Sequence, residues 1–175
     1  MFLNKKKIIL VISFSLLIFF LIFNQVKSQD LIVVDGDTIH LNGEKIRFTG
    51  IDTPELKQTC LKEGVKDPCG VKAKQILNNK IGNNDVECIS EGIDQYKRTL
   101  AECFVNNESL SSYLVRSGYA FAYRRYSKKF VPDEDYARIN NIGMWSMEFD
   151  YPWDYRKSKK IKAIVGVLLP GAPEF

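Results

Sequence analysis

Two short acidic clusters contain the residues whose types and spacing suit chemistry. The first is DGDT, residues 35–38, at the end of a predicted first strand, and the second is DTPE, residues 52–55, just after a predicted third strand. Either cluster alone fits ordinary turn residues equally well, because Asp, Gly and Pro favour turns. The hairpin between them has the length that returns the chain to its starting edge, so we expect the clusters to converge. Oxygen ligands without His or Cys suit Ca²⁺ or Mg²⁺.

Two arginines provide the positive charge that such an acidic site needs to attract a phosphate. Arg47 lies in the strand before the second cluster, and Arg98 lies in DQYKR, residues 94–98, before a later strand. A planar guanidinium group matches phosphate oxygens in a bidentate way that lysine does not. A single arginine more often forms a surface ion pair. A metal, a carboxylate base and two guanidinium groups together are the parts that phosphoryl transfer requires.

Short strands with tight turns are expected to position these residues. The predicted strands are residues 31–34, 38–41, 45–48, 86–89 and 99–105. The Asn42-Gly43 pair predicts a two-residue hairpin, because both residues tolerate a positive φ. Helices are predicted over residues 71–79, after an N-cap at Ser109 as far as Gly118, and from Pro132 to about Asn141. The pattern indicates an α+β fold that is mainly β, with no second domain.

The first 28 residues have the organisation of a secretory signal peptide. Three lysines, residues 5–7, precede an apolar run over residues 8–23, and a polar segment follows. An uncleaved membrane anchor is the alternative. We predict cleavage between Ser28 and Gln29. The predicted organisation is therefore a signal peptide or anchor at 1–28, a folded domain at 29–156, and a basic and apolar tail at 157–175.

The net charge excludes a strongly basic nucleic-acid-binding protein. The chain has 25 Lys and Arg against 21 Asp and Glu, a formal net charge of +4. The leader contributes four lysines and no acid, so the remainder is 25 − 4 = 21 basic against 21 acidic residues. Phosphate affinity must then come from local clusters. The candidates are residues 124–129 and 156–162, and a solvated basic surface is the simpler interpretation of either.

Four cysteines in an exported chain suggest two disulfides. Three pairings are possible. We favour Cys60 with Cys69, around one loop and helix start, and Cys88 with Cys103, on two predicted neighbouring strands. Zinc is the rival explanation. It is disfavoured because the chain has no CxxC pair and His40 is its only histidine.

Three runs of sequence closely resemble the thermonuclease, or staphylococcal-nuclease-like, family. They are VVDGDTIHLNGEKIRFTGIDTPE at 33–55, DQYKRTLAECFV at 94–105 and VRSGYAFAYRRY at 115–126. The resemblance covers about residues 31–156, and the combination of DGDT with IDTPE is highly specific. One departure is Lys97, where the family usually has glycine in YGR.

The resemblance implies a fold, an activity and partners. The family fold is a five-stranded OB-type β-barrel with three helices. Its members cleave DNA and RNA endonucleolytically at the bond to the 5′ oxygen and leave 3′-phosphate ends. The implied protein is a hydrolase, an exported phosphodiesterase that is secreted or periplasmic, with one Ca²⁺ ion, no implied protein partner and a monomeric state. A non-catalytic OB module that binds nucleic acid or protein is the alternative.

The resemblance also implies a role for each matching residue. Asp37 and Asp52 resemble the carboxylate ligands of the Ca²⁺ ion, with the backbone carbonyl of Thr53, and Asp35 is similar to a nearby supporting acid. Glu55 matches the residue that orients or deprotonates the attacking water. The arginines Arg47 and Arg98 match the pair that binds the phosphate and stabilises its transition state. The tyrosines Tyr123 and Tyr126 are similar to those that flank a bound nucleotide.

Overall fold

The structure, a computed structural model, describes Phe14 and residues 29–168, with side chains as far as residue 164. Apart from Phe14, the predicted signal peptide or anchor lies outside the described residues. Within the described part of the chain, no helix is both long enough and apolar enough to cross a membrane.

A curled half-barrel sheet forms the centre of the fold. The strands are β1 (Leu31–Val33), β2 (Thr38–Leu41), β3 (Glu44–Phe48), β4 (Ile51–Asp52), β5 (Cys60–Lys62), β6 (Val65–Asp67), β7 (Glu87–Ile93), β8 (Thr99–Val105), β9 (Glu108–Ser109) and β10 (Phe121–Ala122). The main sheet has the order β1-β2-β3-β8-β7, with β9 beside β8. The β3–β8 pair is parallel, and the other pairs of this sheet are antiparallel. The predicted α+β, OB-like fold class is confirmed.

The hairpin between β2 and β3 sets the register that places Arg47. Asn42 and Gly43 have φ angles of 52° and 84°, as the sequence predicts for a two-residue turn. The resulting register puts Thr38 opposite Arg47. Ile46 and Phe48 are buried in the core. Since side chains alternate along a strand, Arg47 lies on the other surface of the sheet, next to the first acidic cluster.

Four α-helices surround the sheet in the described residues: α1 (Cys69–Ile81), α2 (Leu110–Arg116), α3 (Val131–Ile139) and α4 (Pro152–Leu168). The first three correspond to the three predicted helices. The hydroxyl of Ser109 caps α2 by accepting from the Ser112 amide at 3.3 Å, as predicted. The fourth helix was not predicted. The boundary predicted between domain and tail, at residues 156 and 157, falls inside it.

Two buried clusters hold these elements together. The larger one packs the sheet against α1 and α2, with Ile39, Phe48, Leu77 and Leu114 at its centre. The second has Cys60, Cys69, Phe121 and Met144 buried at its centre, and the partly buried residues around them are mostly aromatic: Tyr119, Trp145, Met147, Phe149, Tyr151 and Trp153. The ring of Phe121 lies 5.0 to 6.2 Å from four other rings of this cluster. The segment that leads into α4 is therefore fixed against the strand β10.

The structure contains two disulfides, and all four cysteines belong to them. Cys60 in β5 bonds to Cys69 at the start of α1. Cys88 and Cys103 are direct partners in the β7–β8 register and form the second bond. These are the two pairs that the sequence favours.

Candidate active site

The two acidic clusters meet at the edge of the sheet, as their spacing predicts. A Cβ atom on Gly36 would lie 2.8 Å from Thr53 Oγ1 and 3.0 Å from Ala73 Cβ, so only glycine allows the first turn to approach the second this closely. The backbone amide of Thr53 donates to Asp37 Oδ2 at 3.1 Å. The two turns are thus bonded directly to one another.

Asp37 is a fully buried carboxylate at the centre of the site. It accepts hydrogen bonds from Thr38 Oγ1 at 3.1 Å and from Arg47 Nη1 at 2.5 Å. Burial raises the pKa of Asp37 to about 7; Arg47 opposes this rise, while Asp35 and Asp52 add to it. The bonds to Arg47 therefore offset only part of the cost of burying the charged carboxylate.

Arg47 bridges the two buried aspartates. Its Nη1 donates to Asp37 and its Nη2 donates to Asp52 Oδ1 at 3.0 Å. Burial by itself lowers the pKa of Arg47, but Asp37, Asp52 and Asp35 raise it above its ordinary value. This guanidinium is fully charged at any physiological pH.

Arg98 is held by a short turn before β8. The carboxylate of Asp94 accepts from the backbone amides of Tyr96 and Arg98 at 2.8 and 2.9 Å through one oxygen. Its other oxygen accepts from Nε and Nη2 of Arg98 at 2.8 and 2.7 Å. Burial raises the pKa of Asp94, but the hydrogen bonds from Arg98 and Tyr96 outweigh this effect and lower the pKa below its ordinary value. Asp94 therefore fixes both the turn and the guanidinium.

Lys97 adopts a left-handed conformation within this turn, with a φ of 62°. Glycine is the residue that takes this conformation without steric cost. The family that the sequence resembles usually has glycine at this position, and glycine adopts a left-handed backbone easily. In this chain lysine keeps the same turn, because Asp94 accepts from the backbone on both sides of it.

The backbone of Glu55 is fixed from two directions, although its side chain is 43 % exposed. The buried side chain of Gln58 accepts from the Glu55 amide at 3.3 Å, and its amide nitrogen donates to the Asp150 carbonyl at 2.7 Å. A Cβ on Gly70 would lie 1.8 Å from the Glu55 carbonyl oxygen, so the start of α1 packs directly on this peptide.

Arg156, in the second turn of α4, reaches into the same site. Its Nη2 donates to Asp52 Oδ2 at 2.6 Å, and its Nη1 donates to Asp52 Oδ1 at 3.2 Å and to Glu55 Oε1 at 2.8 Å. Burial lowers its pKa, but these bonds to Asp52 and Glu55 raise it well above the ordinary value. From the sequence, Arg156 belongs to the basic run 156–162, a candidate for phosphate affinity for which a solvated surface is the simpler interpretation.

One cavity of about 830 Å³ joins the acids and arginines of the site, including Asp94 and Arg156. It is lined by each of the predicted site residues, namely Asp35, Asp37, Arg47, Asp52, Thr53, Glu55, Arg98, Tyr123 and Tyr126. Tyr123 stacks on Trp153 with ring centres 5.9 Å apart, and the Tyr126 ring lies 5.1 Å from that of Tyr123. Tyr126 is 73 % exposed. The cavity thus combines acids, guanidinium groups and accessible aromatic rings.

Comparison with known proteins agrees with this geometry. The family model described as "Staphylococcal nuclease homologue" matches residues 45–147, more than half of the chain. The chain belongs to the staphylococcal nuclease family. Its matched residues include Arg47, the second acidic cluster and Arg98. The first acidic cluster precedes the matched region.

Several known proteins are similar to this chain over most of its length. An "Uncharacterized endonuclease" of Haemophilus influenzae is 28% identical over 137 residues, which cover 74% of this chain and 72% of that protein. A "Micrococcal nuclease" of Shigella flexneri is 27% identical over 146 residues, 73% of this chain and 79% of that protein. The "Probable staphylococcal-like nuclease CAN2" of Oryza sativa subsp. japonica is 29% identical over 133 residues, 74% of this chain. The chain spans about a third of that rice protein, 34% of its length.

The oxygen atoms of this staphylococcal-nuclease-family site fit a hard divalent cation. In the described residues no three acidic, His or Cys side chains cluster as a complete ligand set. Asp37 and Asp52 nevertheless place their carboxylates on one shared guanidinium group, so the two lie close together. Ca²⁺ accepts two carboxylates, a backbone carbonyl and several waters, so this donor set suits it.

Two residues with contacts at this family site were missed by sequence reasoning. Asp94 precedes Arg98 by four positions, and that spacing is a recognisable signal for an ion pair. For Arg156 the signal was the basic run 156–162, which suggests phosphate affinity and gives no indication of a bond to Asp52 or Glu55. Arg156 lies 104 residues from Asp52 in the sequence, and only the folded chain brings the two together.

Proposed function

We propose that this chain is an exported, Ca²⁺-dependent endonuclease that hydrolyses phosphodiester bonds of DNA and RNA and leaves 3′-phosphate ends. One observation carries the proposal. A single cavity joins the buried pair Asp37 and Asp52 with Glu55, Arg47 and Arg98. These are the parts that phosphoryl transfer to water requires, and the family supplies the nuclease class.

Glu55 acts as the general base in this proposal. Its exposed carboxylate takes a proton from a water molecule as the water oxygen attacks phosphorus. The bond from phosphorus to the 5′ oxygen breaks, and that oxygen takes up a proton from solvent. The phosphate remains on the 3′ oxygen, so the products are a 3′-phosphate and a 5′-hydroxyl end.

Arg47 and Arg98 stabilise the charge that develops on the phosphate oxygens. Both guanidinium groups are held by carboxylates, Arg47 by the two buried aspartates and Arg98 by Asp94, so they are oriented before substrate binds. Such preorganisation is the main source of electrostatic catalysis. Asp37, Asp52 and the Thr53 carbonyl, with Asp35 nearby, would hold Ca²⁺, which would supply positive charge beside the phosphate and the attacking water.

Tyr123 and Tyr126 form the nucleotide-binding surface in this proposal. Both rings line the cavity, and Tyr126 offers an exposed face. Stacking on an aromatic ring tolerates any base, which suits cleavage of both DNA and RNA. We further propose a monomeric protein whose leader, residues 1–28, directs export and is removed before Gln29, leaving the domain at 29–156 and the tail at 157–175. The two disulfides support an oxidising compartment.

The test is digestion of single-stranded DNA by the purified chain from Gln29, with Ca²⁺ and with excess chelator, comparing wild type with Glu55→Ala. We expect the wild type to cleave the DNA only in Ca²⁺ and to leave 3′-phosphate ends, and we expect Glu55→Ala to lose this cleavage. A folded wild type that binds DNA without cleaving it would establish the non-catalytic OB module instead. Cleavage that persists in chelator would remove Ca²⁺ from the mechanism. N-terminal sequencing of the exported protein tests removal of the leader.

A further inference from the structure

Arg156 uses both of its terminal nitrogens on the carboxylates of the site. Nη2 is bonded to Asp52, and Nη1 is shared between Asp52 and Glu55. The three bonds reach both acids, so Arg156 links the Glu55 carboxylate to that of Asp52.

The start of α4 is fixed well enough to position a side chain. Tyr151 and Trp153 stack with ring centres 4.6 Å apart inside the aromatic cluster, and Pro152 is buried. The hydroxyl of Tyr155 donates to the Lys57 carbonyl at 3.2 Å, which ties the helix to the loop that carries Glu55. The Arg156 backbone is therefore held relative to both acids.

Glu55 depends on Arg156 for its side-chain position. Within the described residues, the guanidinium of Arg156 is its only side-chain partner, and its carboxylate is otherwise open to solvent. Asp52, also bonded to Arg156, carries the same charge and would repel the Glu55 carboxylate. A side chain as flexible as glutamate populates several rotamers when no partner selects one.

We propose that Arg156 is a positioning residue of the active site, which holds the Glu55 carboxylate beside Asp52 in the orientation needed to receive a proton from the attacking water. The inference deepens the proposed nuclease function and rests on it. The start of α4, as far as Arg156, thereby becomes part of the catalytic domain, and the site has three arginines, two for the phosphate and one for the base.

The experiment measures kcat, KM and Ca²⁺ affinity for wild type, Arg156→Ala, Arg156→Lys, Glu55→Ala and the double variant. Arg138→Ala is the matched control, because Arg138 is an exposed arginine that pairs with Asp135 on α3 and does not line the cavity. Thermal melting establishes that each variant folds. Isothermal titration of Ca²⁺ gives a measurement that does not depend on turnover.

We expect Arg156→Ala to lower kcat by about 10- to 100-fold, which is a part of what a general base contributes to the rate. Its KM and its Ca²⁺ dissociation constant should stay within about threefold of the wild-type values. Arg156→Lys should recover part of kcat. Because Arg156 acts through Glu55, the double variant should have the kcat of Glu55→Ala within about threefold. Arg138→Ala should match wild type.

Four results would overturn this role. They are an unchanged or increased kcat in Arg156→Ala, a rise in KM alone, a loss of Ca²⁺ affinity that accounts for the loss of rate, and additive losses in the double variant. A wild type without nuclease activity would overturn the proposed function, and this role with it. If the wild type is active and Arg156→Ala has the same kcat, this role alone is overturned.

Discussion

Arg98 is the residue whose contribution to the reaction is most easily separated from its contribution to the fold. Its guanidinium lines the cavity and is bonded to Asp94 on a short turn, outside both buried clusters. We expect Arg98→Ala to lower kcat by about 10³-fold, the scale for losing a donor to the transition state. Single-turnover cleavage of an oligonucleotide measures this loss.

The melting temperature should change little in Arg98→Ala, because no packed side chain is lost. Arg138→Ala provides the comparison for removal of a surface arginine. Near-normal turnover of Arg98→Ala would show that another group binds the phosphate.

Substitution of Asp94 should disturb both the turn before β8 and the position of the Arg98 guanidinium. Its pKa is lowered in the folded state, so it stabilises the fold above the unfolded-state value of about 3.9. That stabilisation is lost as the pH falls through the lower folded-state pKa. Asp94→Asn should therefore be less stable than wild type at pH 7, and the difference should shrink below about pH 4.

Urea unfolding of both proteins at neutral and acidic pH measures this trend. Asp94→Asn should also have a reduced kcat, because the amide group presents a hydrogen-bond donor where Arg98 needs an acceptor. Asp135→Asn is the control, since it removes a surface carboxylate that pairs with an arginine on α3. A stability difference that grows at low pH would contradict the assigned direction of the pKa shift.

At the residue scale, sequence predicted the groups that lie in local motifs and missed those brought in by distant contacts. Asp37 and Glu55 stand in short connections beside strands and Asp52 ends strand β4, so residue type and spacing already indicate convergence. The contact of Arg156 with Asp52 requires the aromatic cluster to bring residues 145–153 back across β10. No local pattern encodes that return of the chain.

At the element scale, the two disulfides should contribute similarly to stability and differently to activity. Their sequence separations are 15 residues for Cys88–Cys103 and 9 residues for Cys60–Cys69. The chain-entropy model gives about 3 kcal/mol for the first and about 2.6 kcal/mol for the second. The Cys60–Cys69 bond connects β5 to the start of α1, beside the peptide of Glu55, whereas Cys88–Cys103 joins two strands.

We expect the Cys60→Ser/Cys69→Ser variant to lose nuclease activity at a temperature where it remains folded. The Cys88→Ser/Cys103→Ser variant should keep its activity under the same condition. Denaturant unfolding followed by activity assays below each transition compares the two pairs. Equal activity losses would show that the Cys60–Cys69 bond has no particular effect on the site.

The elements that were predicted well are those with strong local signals. The Asn42-Gly43 hairpin and the α2 cap formed as expected, because turn and cap residues act within a few positions. Helix α4 was missed. It lacks a clear apolar stripe, and its start is held by the stacking of Tyr151, just before the helix, on Trp153 in its first turn. The short hairpin of β5 and β6 was also missed, since its residues alternate weakly.

At the scale of the whole molecule, the acidic site should couple Ca²⁺ binding to stability. A ligand that binds only the folded state stabilises it by about 2.7 kcal/mol at 100 times its dissociation constant. Asp37 is buried, and burial raises its pKa to about 7, so a divalent cation should relieve an electrostatic cost of the native state. The proposed mature domain should therefore melt at a higher temperature in Ca²⁺ than in chelator, with no substrate present.

Asp37→Asn separates this effect from general binding of Ca²⁺ to surface acids. The variant removes one proposed ligand charge, so we expect the Ca²⁺-dependent rise in melting temperature to be lost. Asp135→Asn removes an exposed acid on α3, outside the cavity, and this variant should retain the Ca²⁺-dependent rise in melting temperature. Calorimetry of the three proteins with and without Ca²⁺ measures the shifts. If Asp37→Asn shows the full rise in melting temperature, the cation binds away from the buried aspartates. The arginines alone would then have to balance the charge of these aspartates.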